Sequence, residues 1–168
     1  MTIANLNLND IVTYLESHQL LVVTAESCTA GLIASTLAEP PGCGAWLDSA
    51  FVTYSENAKI QCLNVREQTI EQFGLTSEPV ARAMAESALA ISQANLSIAT
   101  TGVAGPSPGD GSDPVGKVCI AWAFSLNGET RTFSDTAMFH GERNDIREQA
   151  TVYALNGIQK QHTLLRGS

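Results

Sequence analysis

The chain has 168 residues, 44% of them hydrophobic and 15% charged, with a formal net charge of −8. That length fits one domain, residues 1–168, able to bury about two-thirds of its unfolded surface around a single core. Nine scattered basic residues argue against nucleic acid as a partner, which needs clustered Lys and Arg. An anionic small molecule stays open, because one helix end and one Arg can hold a phosphate locally.

No segment reaches the roughly 18 apolar residues of a membrane span. Met1 to Asp10 has neither the basic n-region nor the apolar h-region of a signal peptide. Cys28, Cys43, Cys62 and Cys119 are widely spaced, without Cys-x-x-Cys or a nearby His. Reduced thiols in a cytoplasmic protein, with no metal, are therefore expected. Arg166-Gly167-Ser168 could be an added remnant and is given no function.

The spacing of apolar residues predicts a first helix from about Leu8 to His18, with Ile11, Val12, Tyr14 and Leu15 facing inward. A strand, Leu20–Ala25, gives way at Ser27 to a helix running to about Ala38. Pro40-Pro41-Gly42-Cys43-Gly44 breaks the chain before a second strand, Leu47–Tyr54. Ser55 is a good N-cap for a short helix Glu56–Leu63, and another short helix covers Glu67–Phe73. Ser77-Glu78-Pro79 opens a longer helix through Ala81, Met84, Ala85, Ala88, Leu89 and Ile91.

A third strand, Leu96–Thr101, runs into a glycine- and proline-rich loop from Gly102 to Gly116. Strands Lys117–Ser125 and Thr130–Phe139 flank Asn127-Gly128, a strong hairpin signal, so that pair is antiparallel. A last helix extends from about Gly141 to Gln161. Five strands alternating with helices predict an α/β fold: a three-layer α/β/α sandwich on a mixed, mostly parallel sheet.

If the first three strands run parallel, their carboxyl ends meet at one crevice, where open α/β sheets bind ligands. Ser27 stands after the first, where the N-terminus of the next helix would offer N–H groups to a phosphate or an oxyanion. A plain capping role is the alternative. Tyr54 and Lys59 follow the second strand. A lysine whose pKa is lowered by burial can take a serine proton, and a tyrosine can relay that proton or orient the amine. The alternative has Lys59 solvated and Tyr54 as a sheet-edge aromatic.

Cys28 is a second candidate nucleophile, but none of His18, His140 and His162 has a clear claim to activate it, so a packed residue is the alternative. After the third strand, Gly102 and Gly105 would let the backbone approach a ligand closely. Asp110 and Asp113 could suggest a metal, without a supporting ligand pattern. Arg143, at a helix start, could clamp a phosphate; Arg147 could instead pair with Glu142 or Glu148.

Ala25-Glu26-Ser27-Cys28-Thr29-Ala30-Gly31, Phe51-Val52-Thr53-Tyr54-Ser55-Glu56-Asn57-Ala58-Lys59, Thr101-Gly102-Val103-Ala104-Gly105-Pro106 and Pro114-Val115-Gly116 stand in one order along the chain. With Ser77-Glu78-Pro79 and Gly141-Glu142-Arg143, they make the chain resemble the CinA C-terminal-domain family over nearly its whole length. Stand-alone members look like nicotinamide mononucleotide deamidases of the PncC type. The resemblance implies hydrolysis of nicotinamide mononucleotide to the nicotinate nucleotide and ammonia, with no cofactor. It places the serine nucleophile on Ser27, the lysine on Lys59 and the tyrosine on Tyr54. It also implies substrate contacts from Thr29, Ala30, Gly31, Thr101, Gly102, Ala104, Gly105 and Arg143.

The family's Ser-Cys-Thr-Gly-Gly is here Ser-Cys-Thr-Ala-Gly. A methyl at Ala30 suits a helical residue and matters only if the backbone there needs a positive φ or touches substrate. Apolar strands and a small charged surface point to a homodimer. The competing readings are a nucleotide-binding or regulatory module without turnover and a Ser–Lys amidase for another small amide.

Overall fold

The structure, a computed structural model, describes residues 2–108 and 113–167; Asp110 and Ser168 lie outside the described residues. In chain order it contains α1 (Leu8–Ser17), β1 (Val22–Glu26), α2 (Leu32–Ala38), β2 (Leu47–Val52), α3 (Glu56–Leu63), α4 (Glu67–Phe73), α5 (Glu78–Ala90), β3 (Leu96–Gly102), β4 (Lys117–Leu126), β5 (Glu129–Met138) and α6 (Arg143–Gly167). Asn127 and Gly128 both take positive φ, 53° and 83°, the mirror-image turn that matches strand twist in a two-residue hairpin.

The strands form one sheet in the order β2-β1-β3-β4-β5. β1 pairs in parallel with β2 on one side and β3 on the other, whereas β4 is antiparallel to both β3 and β5. Only β4 therefore points against the rest, and the carboxyl ends of β1, β2 and β3 lie side by side. β1 is buried at every position, as a central strand covered on both faces must be. The edge strand β2 alternates between half-buried and exposed.

Successive side chains point to opposite faces, and the sequence sorts them by size. Val22, Leu96, Ile98, Val118, Ile120, Trp122 and Phe124 face α1, α2 and α6. Ala25, Ala99, Cys119, Ala121 and Ala123 face α3, α4 and α5. On α5 the small residues Ala81, Ala85 and Ala88 alternate with the larger Val80, Met84 and Leu89 in the same cluster. The opposite layer holds bulk instead, and α6 makes room for it at Gly157. The Trp122 indole donates to the Ala154 carbonyl at 2.8 Å, and its ring passes 2.3 Å from where a Cβ on Gly157 would stand.

Strand ends shift by one or two residues from the sequence reading, β2 stopping at Val52 rather than Tyr54, and two helix boundaries differ with more consequence. α6 continues past Gln161 because Ile158, His162 and Leu165 still face the core, and His162 Nδ1 lies 2.9 Å from the Tyr14 hydroxyl on α1. α2 starts only at Leu32, so five residues separate β1 from its helix. Among the described residues no helix is long and apolar enough to cross a membrane.

Gly157→Ala is expected to destabilise the fold. Overpacking a closed site costs about 1–3 kcal/mol, against at most ~1 kcal/mol gained in helix propensity. A lower melting temperature by calorimetry is the expected result; a higher one would contradict the packing of Trp122 on α6.

Candidate active site

Ser27 continues the β1 ladder by one residue: its N–H donates to the Thr100 carbonyl at 3.0 Å, while the preceding Glu26 carbonyl accepts from Thr53 N–H at 2.9 Å. The nucleophile candidate is thus fixed between the ends of β2 and β3, and it is 7% exposed. Beyond it, Ala30 has φ 52° and Gly31 φ 89°, so the chain turns through two left-handed residues before α2.

This turn corrects two expectations. Ala30 is not helical: its methyl stands on a backbone conformation that costs an L-residue roughly 1–2 kcal/mol. The N-terminus of α2 is also not open to a substrate anion. The Glu26 carboxylate accepts from the N–H groups of Gly31 (2.9 Å), Ile33 (3.1 Å) and Ala34 (2.9 Å), which occupies the donors that a helix start leaves unpaired.

Lys59 reaches the same point from α3. Ser55 caps that helix by accepting from Ala58 N–H, and Lys59 in the first turn points back along the end of β2. It is wholly buried. Its Nζ lies 3.0 Å from Ser27 Oγ, 3.0 Å from the Thr53 carbonyl and 3.3 Å from the Tyr54 carbonyl. A neutral amine has two N–H bonds and one lone pair. The two carbonyls can take the N–H bonds, which leaves the lone pair on the serine hydroxyl; after protonation the same three oxygens accept all three N–H bonds.

Burial lowers the Lys59 pKa from 10.5 to about 8, against the opposing pull of Cys28 and Glu56. Burial pushes the neighbouring Cys28 thiol up to about 12, which favours the packed wall residue over a thiolate nucleophile.

The Tyr54 phenol is turned away from this pair. It is half exposed and accepts from Arg143 Nη2 at 2.7 Å, while Arg143 Nη1 donates to the Gly105 carbonyl. The part of Tyr54 at the amine is its backbone carbonyl, and the proton relay expected of its hydroxyl does not match this placement.

Beside Ser27 opens a cavity of about 510 Å³, lined among others by Cys28, Tyr54, Thr101, Gly102, Ala104, Gly105 and Arg143. Thr29, Ala30 and Gly31 are not among its walls. Thr29 is wholly buried and its hydroxyl pairs with that of Thr100 at 2.8 Å. Thr101 lines the cavity, but its hydroxyl donates to the Leu75 carbonyl at 2.8 Å. The absence of a Cβ at Gly102 is required by β4, since the Lys117 carbonyl would lie 2.6 Å from it, rather than by a ligand.

Ile70, Leu75, Thr76 and Glu56 also line the cavity, and sequence reasoning missed them. A signal existed: α5 runs back along the sheet to deliver β3, so its start must lie at the edge where β3 ends. Lys117 ties this wall to the loop after β3, donating to the Thr76 carbonyl at 3.0 Å and pairing with Asp113 at 2.6 Å. Arg147 pairs with neither Glu142 nor Glu148; it donates to the Thr29 carbonyl at 2.9 Å and to Asn144. Among the described residues no group of three or more His, Cys, Asp or Glu is placed to hold a metal ion. A separate apolar groove along α6, lined by Trp122, Phe139, Val152 and Tyr153, contains none of the expected site residues.

The family model of the CinA C-terminal domain matches residues 6–162. The nicotinamide-nucleotide amidohydrolase PncC of Escherichia coli (strain K12) is 42% identical over 147 residues, covering 88% of this chain and 87% of that protein. A CinA-like protein of Akkermansia muciniphila is 40% identical over 148 residues, 88% of this chain and 35% of that protein. The chain thus spans about a third of the length of such longer relatives. A solved structure of a competence-damaged protein (CinA) superfamily protein from Escherichia coli matches with a TM-score of 0.86 at 33% identity, over 95% of this chain and 90% of that one. The competence/damage inducible protein CihA from Agrobacterium tumefaciens matches at 0.82 and 38% identity, over 91% and 92%.

Replacing Ala30 by glycine removes the left-handed strain, offset by about 0.4–1 kcal/mol of added unfolded-state entropy. A net gain of roughly 1 kcal/mol should raise the melting temperature by about 2–4 °C. A lower value for Ala30→Gly would contradict the turn described.

Proposed function

We propose that this chain, which belongs to the CinA C-terminal-domain family, hydrolyses the carboxamide of nicotinamide mononucleotide to nicotinate mononucleotide and ammonia through an acyl-enzyme on Ser27. The observation that carries this reading is the buried Lys59 amine 3.0 Å from Ser27 Oγ, with two backbone carbonyls positioned for its N–H bonds. The relatives named nicotinamide-nucleotide amidohydrolase, 42% identical over 88% of the chain, supply the substrate class.

In this mechanism neutral Lys59 takes the Ser27 proton as Oγ attacks the carboxamide carbon. Backbone N–H groups of the turn itself, Cys28 first among them, hold the oxyanion, since α2 donates to Glu26; each such donor is typically worth about 3–4 kcal/mol. The protonated Lys59 then delivers its proton to the departing nitrogen, the C–N bond breaks, and ammonia leaves. Lys59, neutral again, takes a proton from the water that attacks the ester, and returns it to Ser27 as the nicotinate carboxylate is released.

The cavity lies within the size range of small-ligand sites. Ile70, Leu75, Val103 and Ala104 would face the pyridine ring, and Arg143 at the rim would hold the ribose phosphate by charge-assisted hydrogen bonds. We assign Tyr54 to that rim with Arg143, as a substrate-side wall. The cytoplasm as location and a homodimer as assembly belong to the same reading.

Ser27→Ala should abolish ammonia release from nicotinamide mononucleotide while melting and nucleotide binding stay close to the parent. Retained turnover would rule out the serine route, and binding without turnover by the parent chain would identify a nucleotide-binding module instead. The rate should rise with pH through a midpoint at about 8, because the base works only when unprotonated and its pKa is lowered to about 8. Lys59→Met, which keeps the apolar stem, should remove that limb together with the activity; a surviving limb would assign it to another group.

A further inference from the structure

A carboxylate is costly to bury without partners, yet Glu26, immediately before the proposed nucleophile, has no exposure to solvent. Its partners are all backbone. Its two oxygens receive the N–H groups of Gly31, Ile33 and Ala34 at 2.9–3.1 Å. An ordinary helix is capped by the residue at its own start, but that residue in α2 is Gly31, which has no side chain. The cap comes instead from the far side of the turn, so Glu26 ties the end of β1 directly to the start of α2. The residues it encloses are Ser27, Cys28, Thr29 and Ala30.

The same turn is pinned from three other directions: Ser27 N–H to Thr100, the Thr29 hydroxyl to Thr100, and Arg147 to the Thr29 carbonyl. Ala30 persists in a left-handed conformation within it, and such strain survives only where the surroundings over-determine the backbone. Lys59 is held independently of this clamp, by the carbonyls of Thr53 and Tyr54. With Ser27 N–H held on the Thr100 carbonyl, the turn that follows Ser27 is the remaining constraint on where its Oγ stands relative to the amine.

We propose that Glu26 is a positioning residue for the reaction: by closing the turn on α2 it holds Ser27 Oγ against Lys59 and aims the turn's remaining N–H groups at the reacting carbonyl. The proposal rests on the reading of Ser27 as nucleophile given above. The clamp acts on the nucleophile, not on substrate binding, so its loss lowers kcat and leaves KM and the pH midpoint in place.

Glu26→Gln is the test, because it keeps the shape while turning one acceptor into an NH2 group that faces N–H donors. Two readouts are taken per folded molecule: steady-state turnover of nicotinamide mononucleotide across pH, and the rate at which a small fluorophosphonate labels Ser27, which does not depend on the identity of the substrate. A misplacement of 1 Å costs on the order of 10²-fold. The expected result is a fall of at least about tenfold in kcat and in labelling rate, with KM within about threefold and the midpoint still at about 8.

Parent rates for both readouts would overturn the proposal and leave Glu26 as a helix cap alone. So would a loss carried wholly by KM or accompanied by a moved midpoint. If Glu26→Gln does not fold, Glu26→Asp, which retains the charge but is one methylene short of its three partners, takes the same measurements. A parent chain that labels at Ser27 but releases no ammonia removes the amidase reading and leaves the labelling rates to decide Glu26. A parent chain in which Ser27 does not label overturns both.

Discussion

A lysine amine withdrawn from water needs an oxygen for every N–H bond it carries, and the rest of this site is arranged around that need. The end of β2 provides two, the carbonyls of Thr53 and Tyr54, where the strand stops pairing and its acceptors become free. The third position is Ser27 Oγ. Placing all three within reach requires β1 to be flanked by parallel neighbours, so that the carboxyl ends coincide, and requires α3 to start at once after β2. It also requires a dry setting. The packing of α3 and α5 on the sheet helps to supply it, and Lys59 is left with no exposure to solvent.

The electrostatics of the site are local and owe little to the net charge of −8. Burial is the largest influence on Lys59 and outweighs the carboxylate of Glu56, which pulls the other way. Glu26 would bring a second negative charge close to Ser27, but three backbone N–H groups and the positive end of α2 offset it. The cost is that α2 offers nothing to a substrate anion. Positive charge on the cavity wall stands instead on Arg143, whose guanidinium spans the distance between Tyr54 and Gly105. Ser27, with the buried Lys59 amine behind it, and the Arg143 guanidinium give the cavity two chemically distinct ends.

The strand ends were readable because periodicity, breakers and the Asn127-Gly128 hairpin left one plausible sheet, and Ser27 and Lys59 fell on its carboxyl edge. For Tyr54 the sequence draws attention to the phenol, while the atom within reach of the Lys59 amine is the backbone carbonyl: a phenol is conspicuous in a sequence and a carbonyl is not. The family resemblance implies substrate contacts from Thr29 and Gly31, whereas the chain leaves β1 through two left-handed residues toward α2 and neither residue lines the cavity. Ala30 could not be judged from residue type, because alanine is favourable in a helix and strained in the conformation it has here. The wall formed by Leu75 and Thr76 was missed because its sequence carries no reactive group and its position follows from the path of α5.

Residue order by itself determined the alternation of strands and helices, the inward faces, the antiparallel hairpin and the candidacy of Ser27 and Lys59, because these follow from periodicity and local conformational preference acting over a few residues. Only the tertiary structure decided that the Lys59 amine meets Ser27 Oγ, that Glu26 closes the turn on α2, and that Arg143 meets Tyr54 and Gly105. Those contacts join residues from 5 to 89 positions apart. Their geometry depends on how strands pair and helices seat on the sheet, and a pairing rule that acts along the chain carries no record of it.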